Sequence, residues 1–278
     1  MPLKLFYITN RPAVARVAQQ AGVDRIFLDM EYLGKEDRQG GMDTVQSHHT
    51  VEDVATIRAV LTDTKLLVRI NPIHTSGSDC GNSREEIERV LDAGADAIML
   101  PMYRTVTEVE EFLRLVNGRA TTVLLTETPD ACNIMDEVVK IGEVDEIHLG
   151  LNDLHLAYHK KFMFELLADG TVDKLCAKIK ASGKPFGFGG IARIGYGMLP
   201  AELVIGEHYR IGSTRAILSR SFCNADKVQD IDAIQRLFAE EVVRIREIER
   251  QIAAYSEDEF TCNRERVKEK IRQIVKAM

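Results

Sequence analysis

Short apolar runs and amphipathic segments take turns along this chain, and that alternation leaves few folds open. Leu3–Thr9 reads as a strand, Pro12–Ala21 as a helix with proline in its first turn, Arg25–Met30 as a strand and Val51–Leu61 as a helix. The pattern continues with a strand at Lys65–Ile70 and a helix at Ser83–Ala93 opened by Ser83-x-x-Glu86. Next come a strand at Ala97–Leu100 and a helix at Thr105–Val116 opened by Thr105-x-x-Glu108. Further strands are read at Thr121–Glu127, Asp145–Leu149, Pro185–Gly189 and Tyr209–Gly212, with a helix at Val172–Ala181. Thr128 followed by Pro129 is a helix start, which fixes Glu127 as the last residue of the fifth strand. Strands that alternate with helices build parallel sheets, and eight such units predict an α/β fold, a (β/α)8 TIM barrel. The rival is an open doubly wound sheet, but its GxGxxG turn after the first strand is absent.

Composition narrows the function classes. At 278 residues the chain is long enough for one large α/β domain, and 45% hydrophobic content argues against disorder. A net charge of −7 speaks against nucleic acid as a partner, which needs a basic face. No apolar run has the length of a membrane span. The opening MPLKLFYITN reads as a first strand rather than a signal peptide. Cys80, Cys132, Cys176, Cys223 and Cys262 show no CxxC spacing, which suits a reduced, cytoplasmic protein.

The tail departs from the alternation. Ile231, Ile234, Phe238, Val242, Ile245, Ile248 and Ile252 recur three or four apart, one apolar stripe on a long helix, and a second helix spans roughly 263–277. This divides the chain into a barrel at 1–225 and a helical extension at 226–278. The stripe either packs on its own barrel or reaches a neighbouring subunit; the second alternative predicts a homo-oligomer.

Barrel enzymes place their chemistry where the strands end. Here those ends carry Asp29 and Glu31 on the second strand, Arg69 and Asn71 on the third, Glu127 on the fifth, and Gly150, Asn152 and Asp153 on the sixth. Charged groups flanking apolar strands are seldom tolerated without partners. Glu127 and Asp153, at the same end of successive strands, make a ready site for a hard divalent cation. The backbone N–H groups around Leu151–Asp153, at a helix start, suit a substrate carboxylate, and Gly150, Leu151 and Asn152 are the substrate-binding candidates. Gly187, Gly189 and Gly190 fit either phosphate binding or close backbone packing.

Read together, AGVDRIFLDMEY (21–32), LLVRINP (66–72), ADAIMLPM (95–102), TETPDA (126–131) and VDEIHLGLNDL (144–154) resemble the HpcH/HpaI aldolase and citrate lyase β-subunit family. The resemblance covers about residues 3–220 and implies a modified (β/α)8 barrel that is usually oligomeric. It implies Mg²⁺ or Mn²⁺ held by Glu127 and Asp153, and Arg69 steadying an enolate. The reaction it implies is metal-dependent cleavage or formation of a C–C bond next to a 2-oxoacid such as pyruvate, with an aldehyde as the second substrate. Where the family places His after the Glu of the second strand, this chain has Tyr32; Glu31 with His49, or His48, is then the candidate for proton transfer. The family's GPxDL is GLNDL here, with Leu151 for proline. Lys35 and Arg38 fit either an anionic group of the second substrate or a solvated loop. The alternatives are a citrate-lyase-like enzyme on an acyl-CoA thioester, with Arg104, Arg193 and Arg215 for the nucleotide, and a non-catalytic scaffold.

Overall fold

Eight parallel strands close on themselves in chain order, β1 pairing with both β2 and β8. The computed structural model describes residues 1–34, 47, 49–76 and 81–278. Lys35, Arg38 and His48 lie outside the described residues. The strands are β1 Lys4–Ile8, β2 Arg25–Asp29, β3 Lys65–Arg69, β4 Ala97–Leu100, β5 Thr121–Thr126, β6 Glu146–Leu149, β7 Phe186–Ile191 and β8 Arg215–Leu218. Among the described residues the helices are α1 Pro12–Gln20, α2 Val51–Arg58, α3 Ser83–Asp92, α4 Val106–Val116, α5 Pro129–Asn133, α6 Met135–Val138, α7 Leu151–Ala157, α8 Glu165–Ala168, α9 Thr171–Ala181, α10 Ala201–Ile211, α11 Ile231–Ile252 and α12 Glu257–Ala277. The (β/α)8 expectation is therefore met.

Successive strand residues point in and out by turns, which separates two cores. Outward residues such as Ile26, Leu28, Val68 and Ile98 pack under the helices. Inward ones, Phe6, Phe27, Leu67, Ala97, Met99, Val123 and Leu125, fill the barrel itself. Both strand faces are covered, so these strands read as unbroken apolar runs. Helix starts are set locally. Thr105 accepts from the Glu108 N–H while Glu108 accepts from the Thr105 N–H, the reciprocal pair the sequence implies.

Three expectations need correction. The eighth strand is not Tyr209–Gly212. Those residues close α10, and Gly212 is its left-handed C-cap at φ +86°. The true strand is the next short run, where Arg215 turns inward and disguises an otherwise apolar segment. The helix at residue 83 is capped by Asn82 with Glu85, not by Ser83 with Glu86. Ser83 instead accepts from the His74 N–H, and Glu86 is buried against Asn71. The last helix starts at Glu257, where Ser256 and Glu259 form its capping box.

The tail stripe is closed within the chain. Ile234, Phe238, Val242, Ile245 and Ile252 are buried in the same core as the barrel. Phe238 packs edge-on against Tyr7 at 4.8 Å and against Phe222 at 5.1 Å. At its other end α11 meets the start of β1, where Glu249 accepts from the Leu3 N–H at 2.6 Å. α11 thus takes the eighth-helix place beside α1 and α10, and α12 lies over α10 and α8. An uncovered stripe is no longer a ground for a neighbouring subunit. Cys132, Cys176, Cys223 and Cys262 are free thiols. Among the described residues no helix is long and apolar enough to cross a membrane.

Candidate active site

At the C-terminal end of the barrel, Asp29 and Arg69 are register partners on β2 and β3, and both point inward. Arg69 Nε and Nη2 donate to the two Asp29 oxygens, each at 2.8 Å, a forked pair. Nη1 reaches Glu31 Oε2 at 3.3 Å, and the guanidinium carbon stands 5.8 Å from the Phe27 ring centre. Burial pulls the guanidinium down, but Asp29 and then Glu31 outweigh it and hold Arg69 well above its ordinary value. It stays charged inside the mouth.

Glu127 is placed by its flanking threonines. Thr126 Oγ1 bonds the hydroxyl of fully buried Tyr103 at 2.7 Å, and Thr128 Oγ1 donates to the Tyr103 carbonyl at 2.9 Å. Thr128 also caps α5 through the Ala131 N–H, as the sequence implies. Met102, at φ +54°, aims its backbone N–H at Glu127 Oε1, 3.2 Å away. The other oxygen lies against Gly150, where an added Cβ would stand 2.6 Å from Oε2. Only glycine fits there, which explains the residue that opens GLNDL. Glu127 is 2% exposed. Burial, with Glu31 and Asp153 adding to it and Arg69 opposing, pushes its carboxyl well above the usual range.

Asp153 sits on the first turn of α7 and is buried. Gly150 precedes that helix without a side-chain cap, so the first-turn N–H groups open beside the carboxylates. Asp29, Arg69, Glu127, Gly150, Leu151, Asn152 and Asp153 all line one cavity of about 280 Å³. Its deeper wall is apolar, with Phe27, Met99, Leu125 and Ile217, and is broken by His148.

The two remaining candidates stand behind this cavity rather than in it. Glu31 is buried and acts on Arg69. His49 Nδ1 accepts from the Asp29 backbone N–H at 3.0 Å, so in its neutral form the proton sits on Nε2. Below them Asn71 accepts from the N–H groups of Tyr32 and Leu33, both at 3.0 Å, and Glu86 in turn accepts from Asn71. This chain of bonds holds Tyr32 and Leu33 just after β2. Sequence reading did not single out Asp29 as the partner of Arg69; the signal was present as two opposite charges at matching inward positions of neighbouring strands.

The arginines considered for a nucleotide do not converge. Arg104 pairs with Asp130 on the surface at 3.0 Å, and Arg193 lies 4.1 Å over the Tyr196 ring. Arg215 begins β8 and is buried at the opposite end of the barrel, on Glu146. Of the β7 glycines, Gly187 supports the packing alternative, since a Cβ there would stand 2.5 Å from the Arg215 carbonyl oxygen.

Carboxylate oxygens are hard donors, and Glu127 keeps its Oε2 beside bare backbone. Among the described residues no three His, Cys, Asp or Glu groups gather as a closed cage. An open pair of carboxylates is the protein share expected for Mg²⁺, which takes its other ligands from water and substrate. The residues fit such an ion.

The model of the HpcH/HpaI aldolase/citrate lyase family matches residues 3–183. The chain belongs to this family. Solved structures with the same fold include a family member from Burkholderia cenocepacia J2315, 16% identical with a TM-score of 0.62, covering 85% of this chain and 94% of that one. A citrate lyase from Burkholderia xenovorans LB400 is 17% identical with a TM-score of 0.59, covering 86% and 77%. The citrate synthase SbnG is 15% identical with a TM-score of 0.57, covering 88% and 94%. No curated protein matches the chain in sequence. Membership makes the chain one of an aldolase and lyase family.

Proposed function

We propose that the chain is a carbon–carbon lyase of the aldolase type, making or breaking the bond next to a 2-oxoacid such as pyruvate, with an aldehyde as partner. The observation that carries this reading is the gathering of carboxyl groups about buried Glu127 at the mouth. Glu31 and Asp153 add to the effect of burial, Arg69 opposes them, and Glu127 is held away from its charged form. Burying like charges together is costly unless a cation joins them. Mg²⁺ or Mn²⁺ would be held by Glu127 and Asp153 and, when bound, supplies Lewis-acid polarisation of the keto oxygen.

The chain's own residues do the rest. Leu151 and Asn152, at the uncapped start of α7, offer N–H groups to the substrate carboxylate, while Gly150 donates its own to the Thr126 carbonyl. Arg69, fixed by the Asp29 fork, stabilises negative charge that builds on the keto oxygen as the C–C bond breaks. Glu31 and His49 are positioning residues in this scheme, acting through Arg69 and the Asp29 backbone. The acyl-CoA alternative is weakened because its three arginines lie apart. Assembly as a homo-oligomer, which rests on the family resemblance, and a cytoplasmic setting, which rests on the spacing of the cysteines, belong to the same proposal.

Calorimetric titration of Mn²⁺, with and without pyruvate, tests the reading. Wild type should bind one ion per chain and bind it more tightly when pyruvate is present. Unchanged Mn²⁺ affinity in Glu127→Gln would overturn the ligand assignment.

A further inference from the structure

Glu127 enters the mouth with its two oxygens in unlike surroundings. Among the described residues its carboxylate takes one hydrogen bond, from the Met102 N–H to Oε1 at 3.2 Å. Oε2 takes none, is not sealed off, and lies over the bare backbone of Gly150. The donor is unusual. Met102 stands at φ +54°, in the left-handed region that favours glycine, directly after Pro101. A residue with a side chain keeps such a conformation where its surroundings impose it, and these residues gather at functional sites. Here the imposing contacts belong to the next residue. Tyr103 is fully buried, its hydroxyl bonds Thr126 Oγ1 at 2.7 Å, and its carbonyl accepts from Thr128 Oγ1 at 2.9 Å. Thr126 and Thr128 flank Glu127 in the chain. The segment that gives Glu127 its N–H is thus tied to the residues on both sides of Glu127.

We propose that Met102 and Tyr103 are positioning residues that decide which divalent ion the site takes, favouring Mg²⁺ or Mn²⁺ over Ca²⁺. The proposal rests on the reading of Glu127 as a ligand, not on the reaction. An ionised carboxylate can hold a cation through one oxygen or through both. Ca²⁺ accepts either mode, since it takes about six to eight oxygens in flexible arrangements. Mg²⁺ is smaller and demands near-ideal octahedral geometry, which the narrow grip of two oxygens on one carbon distorts. With Oε1 spent on the Met102 N–H, Glu127 offers a single oxygen and suits the octahedral ion. Freed from that bond, the carboxylate is able to turn both oxygens to one ion, and the discrimination against Ca²⁺ falls.

The test is calorimetric titration of the full chain with Mn²⁺ and, separately, with Ca²⁺. Wild type should bind Mn²⁺ more tightly than Ca²⁺. Thr126→Val and Tyr103→Phe remove the same bond from its two ends. Each should narrow the preference by about 10-fold, the lower range for losing a hydrogen-bond partner behind a metal ligand. Thr126→Ser keeps the hydroxyl and should keep the preference. Met102→Gly is at ease at positive φ and still donates its N–H, so it should keep the preference too. Met102→Pro has neither property and should lose it. Melting curves check the fold, and the Thr126 pair decides if Met102→Pro does not fold. An unchanged ratio in Thr126→Val and Tyr103→Phe, whether both ions weaken alike or neither does, would show contacts that serve stability only. Equal affinity of wild type for the two ions would overturn the proposal as well. If Glu127→Gln binds Mn²⁺ as wild type does, the ligand assignment itself fails and takes this proposal with it.

Discussion

The two ends of the barrel interior both bury charge, yet they resolve it in opposite ways. At the N-terminal end Arg25 and Arg215 each grip Glu146 with two bonds, all four between 2.7 and 2.8 Å. Arg25 also stands 4.9 Å over the Phe6 ring. Every oxygen of that carboxylate is occupied, and although burial raises it, the two arginines bring Glu146 down to about 2. At the C-terminal end Arg69 pairs with Asp29 and Glu31, and Glu127, with Glu31 and Asp153 acting on it, moves the other way. The floor is a closed ion cluster that serves stability, while at the mouth a buried carboxyl has further carboxylates as well as a guanidinium acting on it. Perturbed groups of the second kind are candidates for functional sites.

Breaking the floor should give the largest effect on the fold. Glu146→Gln leaves two buried guanidinium groups uncompensated and should cost about 3–5 kcal/mol, read as a lowered denaturant midpoint. Wild type carries the same signature in pH. Glu146 titrates lower folded than unfolded, so its contribution is present above about pH 4.3 and is lost as pH falls toward about 2. Its full size is roughly 3 kcal/mol. An acid unfolding curve identical in wild type and Glu146→Gln would contradict the assignment.

Breaking the mouth should spare the fold and remove activity. Glu127→Gln should lower kcat by at least about 10³-fold, the scale of losing a metal's charge stabilisation. Its effect on stability should have the opposite sign to that of the floor variant. A carboxyl raised in the folded state favours folding below about pH 4.3 and loses that as pH rises through its folded value, so near neutrality it opposes folding. Without metal, the glutamine variant should therefore melt no lower than wild type at neutral pH. A lower melting temperature there would make Glu127 structural.

Arg69→Lys sharpens the comparison by keeping the charge and removing the fork. We expect kcat to fall by about 10²-fold with a smaller rise in KM, since lysine cannot hold the Asp29 geometry and face the substrate at once. A change confined to KM would limit Arg69 to substrate binding. The smallest effect should come from Gly150→Ala, whose Cβ would press Glu127 Oε2 from 2.6 Å. A loss of about 10-fold in kcat with weaker Mn²⁺ binding fits a displaced ligand. No change in either would mean that the carboxylate finds room elsewhere.

Much of this was legible in residues alone. Thr128-Pro129 announces the end of β5, and the structure places Glu127 one residue past it. The motifs around Arg69 and Asp153 put both side chains at the mouth. The error at the eighth strand is instructive. Tyr209-Arg210-Ile211 is apolar enough for a strand, and Arg215 makes the true strand look like a loop. Charge inside a barrel defeats a pattern that treats charge as surface.

The sequence by itself determined the alternation, the helix caps and the strand ends that carry acid or arginine, because period, capping chemistry and strand termini are local properties. Tertiary structure alone decided which charges are neighbours. Asp29 meets Arg69, and Glu146 meets both Arg25 and Arg215, across strands that lie 40, 121 and 69 residues apart in the chain. It also decided that α11 closes the barrel rather than leaving its stripe exposed. Those outcomes depend on register and closure, which fix distances between residues that share no local pattern, and distance is what sets a buried charge's partners and its protonation.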